Sequence, residues 1–206
     1  RLRCDWSSDV CSSDLLAAQL SLIITSALVN FLCRKFIVFD ANHFCNSDLN
    51  SDFHTTATFL GTGTSVGVPV VGCDCAVCTS SDPGNVRTRC SFHLQTPEVS
   101  VLIDTGPDLR EQALRENLRE VDAVLYTHAH LDHVVGFDEL RAFCWHRDDP
   151  LPLYGGSETI ASLRRMFPWA MENTKPSYVR PAVHIVDGPF SVGDLAVTPI
   201  DRKSVV

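Results

Sequence analysis

Regular patterning of apolar and polar positions begins near Thr55. Residues 57–60 read as a short strand that runs into the turn Gly61-Thr62-Gly63, and residues 90–94 and 99–103 alternate like a hairpin pair around Thr96-Pro97-Glu98. Residues 107–120 read as a helix, with Pro107 near its first position and Leu109, Ala113, Leu114 and Leu118 on one apolar stripe. Residues 121–126 form a continuous apolar run of the kind that makes a buried strand. Further on, residues 137–144 suggest one or two helical turns and 157–167 a longer helix. Residues 183–186, 190–192 and 195–200 read as strands separated by Asp187-Gly188 and Gly193-Asp194. Hairpins come first and strand–helix alternation follows, which predicts an α/β fold with helices packed on the outer faces of sheets.

The N-terminal stretch is different. Residues 15–33 are apolar and near the length of a membrane span, but Gln19, Ser21, Thr25, Ser26 and Asn30 interrupt them. Residues 16–54 are expected to be a poorly structured leader or upstream translation. The extreme ends resemble translated sequencing adapter. Cys11-Ser12-Ser13-Asp14 can be encoded by a stretch containing GCTCTTCCGATC, the reverse complement of GATCGGAAGAGC, which encodes Asp201-Arg202-Lys203-Ser204. Residues 1–15 and 201–206 are therefore expected to be artefact, and residues 55–200 the N-terminal part of a folded domain. The first methionine is Met166, so the start site is not visible.

Composition narrows the class. The 206 residues are 45% hydrophobic and 20% charged, an ordinary globular balance. A net charge of −8 argues against a broad nucleic-acid-binding face. Nine cysteines is a high and odd count for a chain too long and too apolar for a secreted disulfide scaffold, which turns attention to metals.

The predicted strand 121–126 leads through Thr127 into His128-Ala129-His130-Leu131-Asp132-His133. Four strong ligand types fall within six residues. In an extended segment His128, His130 and Asp132 project to one side, and His133, next to Asp132, points elsewhere, as a second metal requires. Imidazole suits zinc, iron and manganese, and a carboxylate adds charge neutralisation.

A second cluster, Cys73, Cys75 and Cys78, has C-x-C-x-x-C spacing on a turn-rich loop, enough to share one zinc with a fourth ligand from elsewhere. On spacing alone Cys90 qualifies as that fourth ligand. Such a site would staple a long loop with little core of its own. Gly61 and Gly63 do not form a dinucleotide loop, because Pro69 blocks a following helix; they are expected to allow a tight turn near the metals. Arg87 and Arg89 are candidates for phosphate contact, with a solvated loop pair as the more common outcome. His93 is expected to be packed or at the surface, His146 structural, and Cys144 a small buried hydrophobe.

The H-x-H-x-D-H run resembles the signature of the metallo-β-lactamase superfamily. The resemblance implies an αββα sandwich, here incomplete with its C-terminal half largely missing, and a dinuclear site at the sandwich rim. By the same resemblance His128 and His130 hold one metal and Asp132 and His133 the other. Asp104 in Leu102-Ile103-Asp104-Thr105-Gly106 corresponds to an aspartate that supports the ligands from behind; a plain acid ahead of a helix is the alternative reading. The remaining ligands of the superfamily, a third His, a bridging Asp and a late His, are expected beyond residue 200. His184 precedes the last strand and is not assigned as a ligand.

Residues 59–69 (FLGTGTSVGVP) together with the cysteine loop resemble one branch, that of phosphoribosyl cyclic phosphodiesterase, whose relative ribonuclease Z shares the FLGTG opening. In that branch the cysteine loop binds a structural zinc with a late His as fourth ligand, which would make Cys90 a bystander. The resemblance spans about residues 56–200. It implies a cytoplasmic metallo-hydrolase with two divalent metals (zinc or manganese) at the catalytic site and one structural zinc. The expected reaction is attack of a metal-activated hydroxide on a phosphodiester, with a small cyclic ribose phosphate or nucleotide as the expected substrate and Asp132 orienting the nucleophile. The alternatives are a ribonuclease Z-like tRNA-processing endonuclease, a thioester or lactam hydrolase, and, for the chain as given, an inactive metal-binding fragment. The expected partner is a small phosphodiester substrate. No stable nucleic-acid partner and no membrane are expected, and a homodimer is compatible with the sequence.

Overall fold

A computed structural model describes residues 21–23, 35–40, 55–145, 147–172 and 179–201. The predicted artefact at 1–15 and 201–206 (apart from Asp201 at the end of the last strand), most of the leader, and His146 lie outside the described residues. Within the leader, however, Ser21–Ile23 (β1) and Lys35–Asp40 (β2) form strands, so the expectation of a poorly structured segment does not hold for those residues.

The remaining strands are β3 (Thr56–Gly61), β4 (Ser91–Gln95), β5 (Ser100–Ile103), β6 (Ala123–Tyr126), β7 (Leu151–Gly155), β8 (Pro181–Ile185), β9 (Phe190–Val192) and β10 (Leu195–Asp201). Six of them make one sheet in the order β3-β4-β5-β6-β7-β8, and β1-β2-β10-β9 make a second. The β3-β4-β5 part is antiparallel, as the predicted hairpin requires. From β5 to β8 the sheet is parallel, and each crossing carries helix: α1 (Leu109–Arg115) before β6, α2 (Leu131–Val134) and α3 (Arg141–Cys144) before β7, and α4 (Ser157–Met166) and α5 (Pro168–Met171) before β8.

Alternation along the central strands splits the core in two. Leu102, Val124 and Leu153 face Leu109, Phe137, Leu140, Ile160 and Leu163 on the helical side. Val101, Ile103, Ala123 and Leu125 face Val192, Leu195 and Val197 of the second sheet. The layers among the described residues thus run helix, sheet, sheet, which matches the expected incomplete sandwich. Thr96 Oγ1 donates to Asp194 Oδ1 at 2.6 Å and ties the β4–β5 turn to the β9–β10 turn, linking the sheets at one end.

Three local expectations change. The first helix ends at Arg115, not residue 120, because Asn117 takes φ +54° and Leu118 N–H bonds back to Ala113 O, the hydrogen bond that closes a Schellman motif. Its inward face carries Leu109 and Gln112, both fully buried, whereas Leu114 is exposed. Gln112 Nε2 donates to Thr88 Oγ1 and Arg89 O, so a polar residue fastens the helix to the loop before β4. Strand β7 and helix α5 are additional elements; Pro152 inside β7 removes a donor and obscures a strand that lies within the sheet. No helix among the described residues is long and apolar enough to cross a membrane.

His93 is the clearest titratable core group outside the site. Its Nε2 lies 2.8 Å from Ser100 Oγ, and burial pushes its pKa down to about 4. The unfolded chain takes up a proton near pH 6.5 that the folded state refuses until about pH 4. Stability is therefore lost as pH falls through that window, by about 1–3 kcal/mol from this group. The slope of unfolding free energy against pH, measured by denaturant titration between those limits, should flatten in H93Q; an unchanged slope would contradict this assignment.

Candidate metal centre

The centre is built where two neighbouring parallel strands end. Ile103 of β5 pairs with Leu125 of β6, so the loops that leave them emerge side by side. The first loop begins with Asp104 and the second carries Thr127 to His133.

Asp104 is buried and sits at φ +62°, a left-handed conformation that Asp tolerates better than most residues. Its Oδ1 accepts from Thr127 N–H at 2.8 Å. Its Oδ2 accepts from Thr127 Oγ1 at 2.6 Å and from His133 Nδ1 at 2.7 Å. The carboxylate thus looks away from solvent and into the motif.

The backbone of the motif departs from the extended course expected. His130 is extended (φ −70°, ψ 147°) and precedes α2, so Asp132 and His133 lie on a helical turn. Neighbours on a helix diverge by about 100°, not 180°. His133 therefore does not point away from the other histidines: its ring centroid lies 4.1 Å from that of His128, which is 4.5 Å from that of His130. His133 Nε2 lies 3.4 Å from Asp132 Oδ2. The motif side chains thus follow one another as neighbours, but among the described residues no three of their donor atoms all lie within 4.8 Å of one another.

The electrostatics sort these imidazoles. Burial, then the neighbouring His133, pushes the pKa of His128 down to about 4, leaving a neutral ring with a lone pair to offer. Burial alone would lower that of His133 as well, but the hydrogen bond and charge of Asp104, with the charge of Asp132, outweigh it and push it up. His128 Nε2 is buried and has no hydrogen-bond partner. An orphaned buried nitrogen beside two carboxylates and two further imidazoles fits a cation site.

The cysteine cluster is more compact. Among the described residues, Cys73, Cys75 and Cys78 are the one group of three ligand-type side chains whose donor atoms all lie within 4.8 Å of one another. Their loop has no apolar core: Val66, Val71, Val77 and Val86 are exposed. Val70 N–H donates to Cys78 Sγ at 3.3 Å. The Cys78 amide and the sulfurs of Cys73 and Cys78 pull the pKa of Cys75 down to about 7, which favours thiolate. Cys90 is not in this group. It lies instead near the histidine cluster, where burial and the charges of Asp104 and Asp132 push its thiol up to about 11.

Other expectations resolve plainly. Gly61 and Gly63 serve close approach and not a tight turn: Gly61 ends β3, Gly63 bridges to Arg89, and a Cβ on Gly61 would lie 2.0 Å from Arg89 O. Arg89 is committed to structure, with Nη1 on Asp108 Oδ1 at 2.8 Å and Nε on Ser65 O. Arg87 is exposed. His184 is exposed and stacks on Tyr154, and Cys144 is buried as expected. Two features have no sequence signature: the Thr127 hydroxyl, and the backbone contact of Gly106 with Gly136.

Residues 100–205 match the beta-lactamase superfamily domain. The chain belongs to this superfamily. Among solved structures of the superfamily, it is similar to a diphosphatase of the PhnP family, at 41% identity and a TM-score of 0.61 over 68% of this chain and 54% of that one. It is also similar to zinc-bound PqqB from Methylobacterium extorquens, at 27% identity and a TM-score of 0.54 over 70% and 51%. Among curated proteins it is 42% identical to an octanoyltransferase of Porphyromonas gingivalis over 68% of this chain but 29% of that protein. It is 32% identical to ribonuclease Z of Bradyrhizobium diazoefficiens over 53% and 32%. The chain thus spans about half the length of these solved relatives and about a third of the curated ones.

The glycine contact locks the loop after Asp104 against the segment that carries the histidine motif. A Cβ on Gly136 would sit 2.1 Å from Gly106 O, and one on Gly106 2.6 Å from Asp132 O. Thr105 N–H bonds to His133 O and Gly136 N–H to Thr105 O across the same contact. G136A should therefore cost about 1–3 kcal/mol or more, because the obstacle is backbone. Thermal unfolding measures this, and a melting temperature equal to wild type would show that the loops are not interlocked.

Proposed function

We propose that the whole protein is a metal-dependent hydrolase that cleaves small phosphodiesters, with cyclic ribose phosphates or nucleotides as the favoured substrates. The observation that carries this reading is the orphaned Nε2 of a neutral His128 whose ring lies against those of His130 and His133, with Asp132 beside His133 and the Asp104 carboxylate behind them holding three donors. Similarity to a PhnP-family diphosphatase at 41% identity supports chemistry at phosphorus.

His128, His130, Asp132 and His133 would hold two divalent cations, zinc or manganese, and Cys73, Cys75 and Cys78 one structural zinc. Bound at the histidine cluster, such cations supply an activated water and neutralise phosphoryl charge. The chain's own residues do the rest. Asp132 orients the nucleophile from the first turn of α2. Asp104 holds His133 by Nδ1, leaving Nε2 for the cation. The cysteine loop is fastened to the domain through the Val68–Arg87 bridge, and Arg89 connects that segment to Asp108 at the start of α1. A zinc there would brace a loop that burial does not brace.

A tRNA-processing reading is favoured by the ribonuclease Z similarity, which involves the same bond type. The net charge of −8 weighs against an extended RNA partner.

The whole protein, loaded with zinc or manganese, should hold about three metal ions per chain and cleave 2′,3′-cyclic nucleotides. D132A should lose catalytic-site metal and at least about 100-fold in rate, and C75S should lose the structural zinc alone. Faster cleavage of precursor tRNA than of cyclic nucleotides would shift the assignment to the RNA reading. Absence of cleavage of any phosphodiester with the metals bound would overturn it.

A further inference from the structure

Thr127 stands one residue before the histidine motif, buried, with a hydroxyl that touches two members of the centre at once. Its Oγ1 lies 2.6 Å from Asp104 Oδ2 and 3.0 Å from His128 Nδ1. A hydroxyl has one proton to give. A 2.6 Å approach to a carboxylate oxygen is the length of an O–H···O⁻ hydrogen bond, and without a proton between them the two oxygens would repel. The Thr127 proton therefore goes to Asp104. The contact with His128 can then only run the other way, with His128 Nδ1–H donating to a lone pair of Thr127. That leaves His128 Nε2 without a proton, and Nε2 is the buried atom with no partner.

We propose that Thr127 is a positioning residue. It relays the Asp104 carboxylate to His128 and holds that imidazole in the Nδ1–H tautomer, with its Nε2 lone pair free to bind metal. The inference rests on the proposed metal-binding role of the histidine cluster. One carboxylate oxygen thereby sets two tautomers: His133 directly through Nδ1, and His128 through one intervening hydroxyl. The Thr127 backbone N–H also bonds to Asp104 Oδ1 and does so whatever the side chain. Replacing the hydroxyl thus removes the relay while the carboxylate stays anchored.

The test uses the intact protein with T127V, which keeps the branched shape, and T127S, which keeps the hydroxyl. Nitrogen-15 spectra of the histidine rings in the metal-free protein report each tautomer directly. Wild type and T127S should show His128 protonated at Nδ1, and T127V should show a mixture or the Nε2–H form. Zinc affinity of the histidine cluster, measured by chelator competition, should fall about 10–100-fold in T127V and recover in T127S. A purely structural role would not move the tautomer. If T127V fails to fold, the wild-type spectrum still decides, because an Nε2–H His128 overturns the relay. Unchanged tautomer and affinity in a folded T127V overturn it as well. An Nδ1–H His128 in a protein that takes up no zinc at these residues would instead overturn the functional reading and leave the relay standing.

Discussion

The centre depends on one buried carboxylate. A charge taken out of water is tolerated only where donors replace the water, and Asp104 has three, two from Thr127 and one from His133. To present both oxygens to them, its backbone takes a left-handed conformation that costs about 1–3 kcal/mol for a residue with a Cβ. The surrounding contacts hold it there. Asp104 N–H bonds to Leu125 O, Ser91 Oγ donates to Asp104 O, and the next residue, Thr105, exchanges hydrogen bonds with His133 and Gly136.

The fold explains why that carboxylate and the histidines meet. Parallel strands β5 and β6 end in register, so their following loops share one edge of the sheet, where sites in α/β folds gather. The helical core anchors the far side of the motif through Val134, Phe137 and Leu140. The antiparallel hairpins and the cysteine loop lie to the other side, joined to α1 through Arg89 and Asp108. The histidine motif thus follows directly from a strand of the central sheet, whereas the cysteine loop has no apolar core beneath it.

Much of this was legible because it is local. H-x-H-x-D-H and C-x-C-x-x-C announce themselves by spacing, and the central strands by continuous apolar runs. What failed to show were the features set by tertiary contact. The turn of helix that begins at Leu131 changes the expected direction of His133, since a six-residue motif with four polar side chains carries no periodicity that separates strand from helix. Leu114 faces solvent while Gln112 is buried, because the first helix packs on polar backbone of the preceding loop. Cys90 looked like a partner for the cysteine loop by residue type, yet its place just ahead of β4 sets it near Asp104 and Asp132. Thr127 is so ordinary a residue that only its two contacts, to residues far apart and adjacent in the chain, reveal what it does.

The central claim is that the imidazoles, and not the sulfurs alone, bind cations. X-ray absorption at the zinc K-edge of the zinc-saturated intact protein tests it most directly. The account predicts a nitrogen and oxygen shell at about 2.0–2.1 Å with the outer scattering of imidazole, together with a separate sulfur shell near about 2.3 Å. A spectrum described by sulfur alone would contradict it.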